Sequence, residues 1–413
     1  MKKLITVTLV VGMLLCAIAC TAPPAPEPVP APAQVAEEPA TAPSVEPAAP
    51  EGPKVHSSAV DFVYNTPAGR AINVAEFFQI YGLDVKSMIT STGGDVTVSG
   101  KPSQMPTPEG DYVLGLAIHN TSDIVGKTIF EQMQKACDEI GVKYELNDAA
   151  ADQNNQNAAI EQWVAAKKID GAIVYPRNYS AVGPALNELA AAGIPTLVGI
   201  TPLQGTANAL TLIPNEEMGK ASAEYIIAAL KAAGKELKGT VVYGTLNIVH
   251  SNVPGREYGF FKEMEKYPDI KLEKIDGAAV TNFYEQMESL LIKDRNHEII
   301  GAWGLYSGAM LGMSQAIVSN DRTDITMVGI DYDQKVMADI KAGVITATIG
   351  HNPVTVGYWN VCNMVNMLNG VIIPAVTRVP YDVITKDNVD DMYQAYFPGT
   401  GTLDDYIKAS AAP

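Results

Sequence analysis

The chain has 413 residues, 47% of them hydrophobic and 18% charged, which is enough for two or three folded units with real cores. Twenty-nine Lys and Arg against 46 Asp and Glu give a net charge of -17, so no broad basic surface exists to neutralise a phosphate backbone, and nucleic acid is excluded as a partner. The four cysteines, at 16, 20, 137 and 362, are too few for a disulfide framework and lack the paired spacing of a structural zinc site.

The first twenty residues, MKKLITVTLVVGMLLCAIAC, set two lysines before an uncharged apolar run too short for a permanent span, and read as a secretory leader. Its close, Ala17-Ile18-Ala19-Cys20, resembles the bacterial lipoprotein box, which makes Cys20 the expected lipidation site. Ordinary cleavage after Ala19, leaving a free Cys20, stays open. Loss of the leader removes Lys2 and Lys3, so anionic lipid would repel the body and acyl chains must supply the hold on the membrane. Residues 21–54 are rich in proline and alanine and almost free of large apolar side chains. They read as an extended tether that, at about 3.1 Å per residue, reaches at most roughly 100 Å.

Residues 55–110 form an accessory segment with no function assigned. Helical apolar spacing predicts a helix over 68–82, GGDVTVSG predicts a short strand within 93–100, and the turn-rich KPSQMPTPEGD closes the segment. From Tyr112 onward the pattern becomes regular. Strands are expected near 112–118, 142–147, 170–174, 194–199 and 209–213, with helices near 124–140, 153–168, 179–192 and 216–233. The second half repeats this grammar with strands near 238–244, 270–276, 297–303, 325–330 and 344–350. The fold class is therefore α/β, with two doubly wound parallel sheets.

Open parallel sheets bind ligands beyond the carboxyl ends of their strands, where loops and helix N-termini converge. The polar and aromatic residues at those points are His119, Asn120, Asp123, Tyr175, Arg177 and Thr201 in the first half. The second half supplies Arg256, Asn282, Trp303, Tyr306, Asp331 and His351. Set against the aliphatic strand interiors, they are what a cleft between two domains needs.

Signatures of catalysis are missing. Gly126-Lys127-Thr128 has the tail of a P-loop, but its first glycine position is Thr121, so the backbone cannot wrap a phosphate there. No GxGxxG follows a strand, and GxSxG and HExxH are absent, which leaves no reason to expect an enzyme, a cofactor or a metal. Cys137 and Cys362 lie among apolar neighbours on expected helices and read as buried thiols, with a bridge between them left open. The sequons at Asn120 and Asn178 are treated as chance.

In order along the chain, residues 131–198, Gly255-Arg256-Glu257-Tyr258-Gly259-Phe260, Val328-Gly329-Ile330-Asp331 and the run 340–353 (IKAGVITATIGHNP) form a specific set. On these, residues 112 to about 385 resemble the type I periplasmic substrate-binding proteins of the ribose- and galactose-binding class. The resemblance implies two α/β domains joined by three crossovers, near Ile213-Pro214, His351-Asn352 and Val379-Pro380, with ligand trapped by hinge closure. The first domain is then 111–213 plus 352–379, the second 214–351 plus 380–385, and 386–413 a C-terminal tail.

The same resemblance makes Arg256 a sugar-hydroxyl-binding arginine and Asp331 its strand-end carboxylate. His351 stands where the family often has Gln, His119 and Asp123 where it has polar groups, and Tyr175 and Tyr306 where it usually has Asn. Ile200-Thr201 replaces a common Asp-Arg pair, and Tyr306-Ser307 a common Asn-Asp, so two charged clamps are gone and the tyrosines point to a larger planar or apolar ligand face. The implied function is a lipid-anchored, extracytoplasmic binder of a small sugar-like molecule, not an enzyme, serving an ABC permease and its ATPase on separate chains and touching the membrane only through its anchor. The alternative is a receptor lipoprotein that signals to a membrane kinase or chemoreceptor.

Overall fold

Short aliphatic runs alternating with longer amphipathic ones build two parallel sheets in the computed structural model, which describes residues 63–65, 71–73, 95–178, 181–200, 207–247, 252–374 and 376–411. The leader, Cys20, the tether over 21–54, Tyr179 with Ser180, and Thr201 lie outside the described residues. Strands β1 (Val63–Asn65) and β2 (Ala71–Asn73) pair as an antiparallel hairpin lying against the helix called α5 below, and β3 is Asp95–Thr97. There follow β4 (Val113–Ile118), α1 (Ile124–Ile140), β5 (Lys143–Asp148), α2 (Gln153–Ala166), β6 (Gly171–Tyr175), α3 (Gly183–Ala191), β7 (Thr196–Ile200) and β8 (Ala209–Leu212). The second run is α4 (Asn215–Ala232), β9 (Gly239–Leu246), α5 (Val253–Met264), β10 (Ile270–Gly277), α6 (Val280–Lys293), β11 (Ile299–Gly304), α7 (Ser307–Ser319), β12 (Thr326–Ile330), α8 (Gln334–Ala342) and β13 (Ala347–His351). The chain ends with α9 (Pro353–Leu368), β14 (Val376–Arg378), β15 (Tyr381–Thr385), α10 (Val389–Tyr396) and α11 (Leu403–Ser410).

The first lobe is a seven-stranded sheet in the order β3-β14-β8-β7-β6-β4-β5, parallel throughout. The second is a six-stranded sheet, β10-β9-β11-β12-β13-β15, parallel except for β15. Every residue of β6, β11, β12 and β13 is buried, because helices cover both faces, and such strands read as unbroken apolar runs. The chain passes from the first lobe to the second after β8, returns after β13 to lay α9 on α1 and β6, and leaves again after β14 to add β15. At the second passage Asn352 accepts bonds from the Val354 and Thr355 N–H groups, and Pro353 opens α9, a capped start that turns strand into helix within two residues. One buried cluster runs from Leu114 and Ile173 in the first lobe through Ile213 to Trp303 and Ile349 in the second, so the apolar core is continuous across these passages.

Part of the 55–110 segment is an edge of the first lobe. β3 pairs with β14, and the Val98 N–H donates to the Arg378 carbonyl at 3.0 Å. Beyond it the chain is strapped to α9: the Gly100 N–H donates to Thr355 Oγ1, and Trp359 Nε1 donates to the Gly100 carbonyl, each at 2.8 Å. Lys101 pairs with Glu139 and sits 4.4 Å over the Tyr358 ring. The helix expected over 68–82 is contradicted at Ala71–Asn73, which is strand. β-Branched Ile72 and the facing Val63 and Tyr64 favour extended backbone, and Pro67 and Gly69 between the two runs are a turn signature that the helical spacing passed over.

The closest helix contact in the second lobe is between α4 and α5. A Cβ at Gly219 would stand 2.0 Å from the Arg256 carbonyl, and one at Gly259 would stand 1.9 Å from the Glu216 carbonyl, so the two backbones touch only because neither residue has a side chain. Gly219→Ala is expected to push α5 outward and destabilise the fold by about 1–3 kcal/mol, read as a lowered midpoint in a urea melt.

Candidate functional site

Between the lobes, at the carboxyl ends of both sheets, lies a cavity of about 560 Å³. The β4–α1 connection forms one wall with His119, Asn120, Asp123, Ile124 and Val125, joined by Arg177 beyond β6. The other wall carries Arg256, Ala278–Val280, Leu305, Tyr306, Ser307, Leu311, Asp331 and Asp333, while Ile213 and His351 reach the cavity from two of the passages between lobes. Ile124 and Val125 also pack against the second lobe's core cluster, so the walls are in contact. A second hollow, of about 420 Å³ on the outer face of α4 and α5, has its lysines spent on neighbours: Lys220 on Glu224, Lys262 on Glu265 and Lys266 on Glu263. The cleft, with convergent buried polar groups, is the candidate site.

Its centre is an ion pair. Arg256, 2% exposed in the first turn of α5, meets Asp331 in a fork, Nη2 to Oδ1 at 2.6 Å and Nη1 to Oδ2 at 2.9 Å. Nη1 also donates to the Leu305 carbonyl at 2.9 Å and Nε to Asn215 Oδ1 at 3.0 Å. Four of the five guanidinium N–H bonds are thus satisfied within the protein, which is what lets a permanent charge lie buried. Asp331 follows β12 with a φ of 76°, a left-handed backbone that is uncommon for any residue but glycine and concentrates at functional sites. Its N–H donates to the Ile349 carbonyl at 3.0 Å, and Thr348 Oγ1 donates to its carbonyl at 2.5 Å, so β13 holds it there.

His351, at the end of β13, is 1% exposed and stands edge to face with Tyr332, centroids 5.6 Å apart. Burial pushes its imidazole from 6.5 down to about 4; Arg256 lowers it further while Asp331 opposes. It is neutral at pH 7 and offers one donor and one acceptor, and neither ring nitrogen has a partner among the described residues. The Ser307 hydroxyl and the Tyr332 phenol are likewise buried without a partner. The first-lobe polar groups make bonds of their own. His119 Nε2 lies 3.4 Å from Asp123 Oδ2, Asp123 Oδ1 accepts from the Gly126 N–H at 2.8 Å, and Asn120 Oδ1 accepts from the Ser122 N–H and hydroxyl at 3.0 and 2.9 Å. Arg177 Nη1 donates to the Ala151 carbonyl at 3.3 Å.

Of the residues singled out from the sequence, the cavity brings together His119, Asn120, Asp123, Arg177, Arg256, Tyr306, Asp331 and His351. Tyr175 is corrected: fully buried, it fills the slot over Gly199, and its phenol accepts from Asn360, which itself accepts from Thr211. Asn282 is also corrected. It accepts from the Ala278 and Ala279 N–H groups at 3.3 and 3.1 Å, capping α6 behind the cleft wall. Tyr306 lines the cavity, its ring edge to face with Phe283 at 5.9 Å and its phenol donating to the Ala278 carbonyl at 3.3 Å. Trp303 lies flat on Phe260 inside the core, centroids 4.0 Å apart. Asn215, which orients Arg256, was not anticipated; its one sequence signal is a polar side chain directly after Ile213-Pro214. Asp333 and the aliphatic Ile124, Val125, Val280 and Leu311 were missed too.

Among the described residues no cluster of three His, Cys, Asp or Glu side chains is placed to hold a metal ion. Cys137 and Cys362 are free and buried, and burial pushes their thiols up to about 12 and 11, where thiolate chemistry is suppressed. Lys127 is an exposed first-turn lysine 3.8 Å from Glu131.

Residues 114–371 match the family described as periplasmic binding protein domain. The chain is similar to the ribose import binding protein RbsB of Bacillus subtilis (strain 168), 25% identical over 269 residues that make up 62% of this chain and 81% of that one. Among solved structures it is similar to a carbohydrate transporter solute binding protein from Agrobacterium radiobacter in complex with D-arabinose, with a TM-score of 0.63 and 24% identity over 70% of this chain and 99% of that one. It is also similar to an ABC transporter solute binding protein from Agrobacterium vitis bound with alpha-D-tagatopyranose, with a TM-score of 0.61 and 22% identity over 68% of this chain and 96% of that one. These structural likenesses show the fold.

The imidazole of His351 makes stability depend on pH in a defined window. Because its folded value of about 4 lies below the ordinary 6.5, the unfolded chain takes up the proton first, so its contribution is complete above pH 6.5 and lost as pH falls towards 4. The loss is on the order of 3 kcal/mol. His351→Gln is expected to flatten that part of the curve, seen by comparing urea melts at pH 7 and 4.5.

Proposed function

Because the chain belongs to the periplasmic binding protein family, a family of extracytoplasmic binding proteins and not of enzymes, we propose that it captures one neutral, sugar-like molecule in the interlobe cleft and delivers it to an ABC-type importer carried on other chains. The observation that carries this reading is the Arg256–Asp331 fork beside an uncharged, unpartnered His351. A guanidinium N–H, carboxylate lone pairs and an imidazole donor and acceptor, converging in one cavity, suit a ligand dense in hydroxyls. The relatives support it in kind: one is named for ribose import, and another was solved with D-arabinose.

Two further parts belong to the proposal. The first-lobe groups His119, Asn120, Asp123 and Arg177 frame the ligand from the opposite wall, with Tyr306 closing its side. Cys20 is acylated after removal of the leader, and residues 21–54 hold the body off the membrane; among the described residues no helix is long and apolar enough to cross one.

A ligand that binds only the folded state adds about 4 kcal/mol at a thousand times its Kd, which moves a thermal midpoint by several degrees. The full chain is therefore expected to shift with one class of neutral sugar or polyol and not with amino acids or nucleosides. Arg256→Ala is expected to weaken that ligand at least roughly tenfold in titration calorimetry; unchanged affinity refutes the assignment. Cys20→Ser is expected to move the protein from the detergent to the aqueous phase in a detergent partition assay.

A further inference from the structure

The two walls of the cleft are chemically unequal. On the second-lobe side, His351 and Ser307 hold buried polar atoms with no partner among the described residues, and the Arg256–Asp331 fork leaves one N–H and several lone pairs uncommitted. On the first-lobe side, Asp123 and Asn120 are bonded within their own loop, His119 Nε2 lies against Asp123, and Arg177 donates to the Ala151 carbonyl. What the first turn of α1 offers the cavity beyond them is the Ile124 and Val125 side chains, and Val280 and Leu311 line the same cavity from the other lobe.

A hydroxyl pressed among Ile124, Val125, Val280 and Leu311 would lose water and gain no partner, whereas a methyl or methylene group there would lose nothing polar. An anionic group is disfavoured as well. The charge of Arg256 is already matched by Asp331, and against the one further cation among the described lining residues, Arg177, stand two carboxylates, Asp123 and Asp333.

We propose that the ligand is a neutral deoxy sugar, with hydroxyls along one edge facing His351, Arg256 and Asp331 and a methyl or methylene edge set against Ile124 and Val125. This rests on the reading of the chain as a sugar binder and narrows it to sugars of the 6-deoxyhexose type.

The test uses matched pairs that differ only by the hydroxyl at C6: L-rhamnose with L-mannose, D-fucose with D-galactose, and 6-deoxy-D-glucose with D-glucose, each titrated into the full chain by calorimetry. For the stereochemistry the cleft accepts, the deoxy member is expected to bind about 10- to 100-fold tighter than its parent. Val125→Thr, nearly equal in volume but carrying a hydroxyl, is expected to shrink that preference about tenfold. Ile124→Thr, half-buried in the same helical turn, serves if the first variant does not fold. Equal or tighter binding of the C6-hydroxylated parents, or a tightest ligand with no methyl or methylene edge, overturns the inference while leaving the binding function intact. Failure of every neutral sugar and polyol to bind overturns both.

Discussion

A guanidinium that is 2% exposed cannot be left unmatched, and satisfying Arg256 is the constraint around which the second lobe is arranged. Its partners come from separate stretches of chain: Asp331 after β12, the Leu305 carbonyl after β11 and Asn215 at the start of α4. Each has its own supporting condition. Asp331 reaches the fork only from a left-handed backbone pinned by β13, and α5 lies near enough to α4 only because Gly219 and Gly259 bring no side chains. A buried ion pair of this kind contributes little net stability compared with an apolar replacement. On the proposed reading, its worth lies in presenting charge-assisted donors and acceptors in one fixed geometry to a ligand in the cleft.

The passages between lobes rest on a continuous apolar core beneath the cleft. The core cluster is unbroken from Leu114 to Ile349, Ile213 and His351 stand where two passages meet the cavity, and Arg378 of β14 pairs with Glu217 in the first turn of α4 across the lobes. Holding His351 neutral there costs stability only in acid, and it leaves at the centre of the site a side chain that can both give and accept a hydrogen bond.

How much of this was readable beforehand depended on whether a residue's role is set by its own run of chain or by distant partners. The order of strands and helices after Tyr112 was legible because strands covered on both faces are continuous aliphatic runs, and Arg256 and Asp331 were legible through the set of family fragments around them. Tyr175 misled because a tyrosine ending an apolar strand looks the same whether its ring meets ligand or core; the choice was made by Gly199 on the neighbouring strand and Asn360 on α9. Asn282 misled in the same way, since its side chain is consumed by capping α6. Asn215 was invisible because its role lies in a bond to a residue 41 positions away. The strand at Ala71–Asn73 was hidden by apolar spacing that suited a helix equally well.

The flat stack of Trp303 on Phe260 makes the molecule carry its own optical label. The chain has three tryptophans: Trp163 is packed in the first lobe, Trp359 on α9 is tied to Gly100 on the strap, and Trp303 alone sits in the second lobe, in β11, in contact with the helix that bears Arg256. An indole sealed in an apolar core emits at short wavelength. Any ligand that draws Arg256 or shifts α5 changes the ring that Trp303 rests on, and so its emission, without a dye.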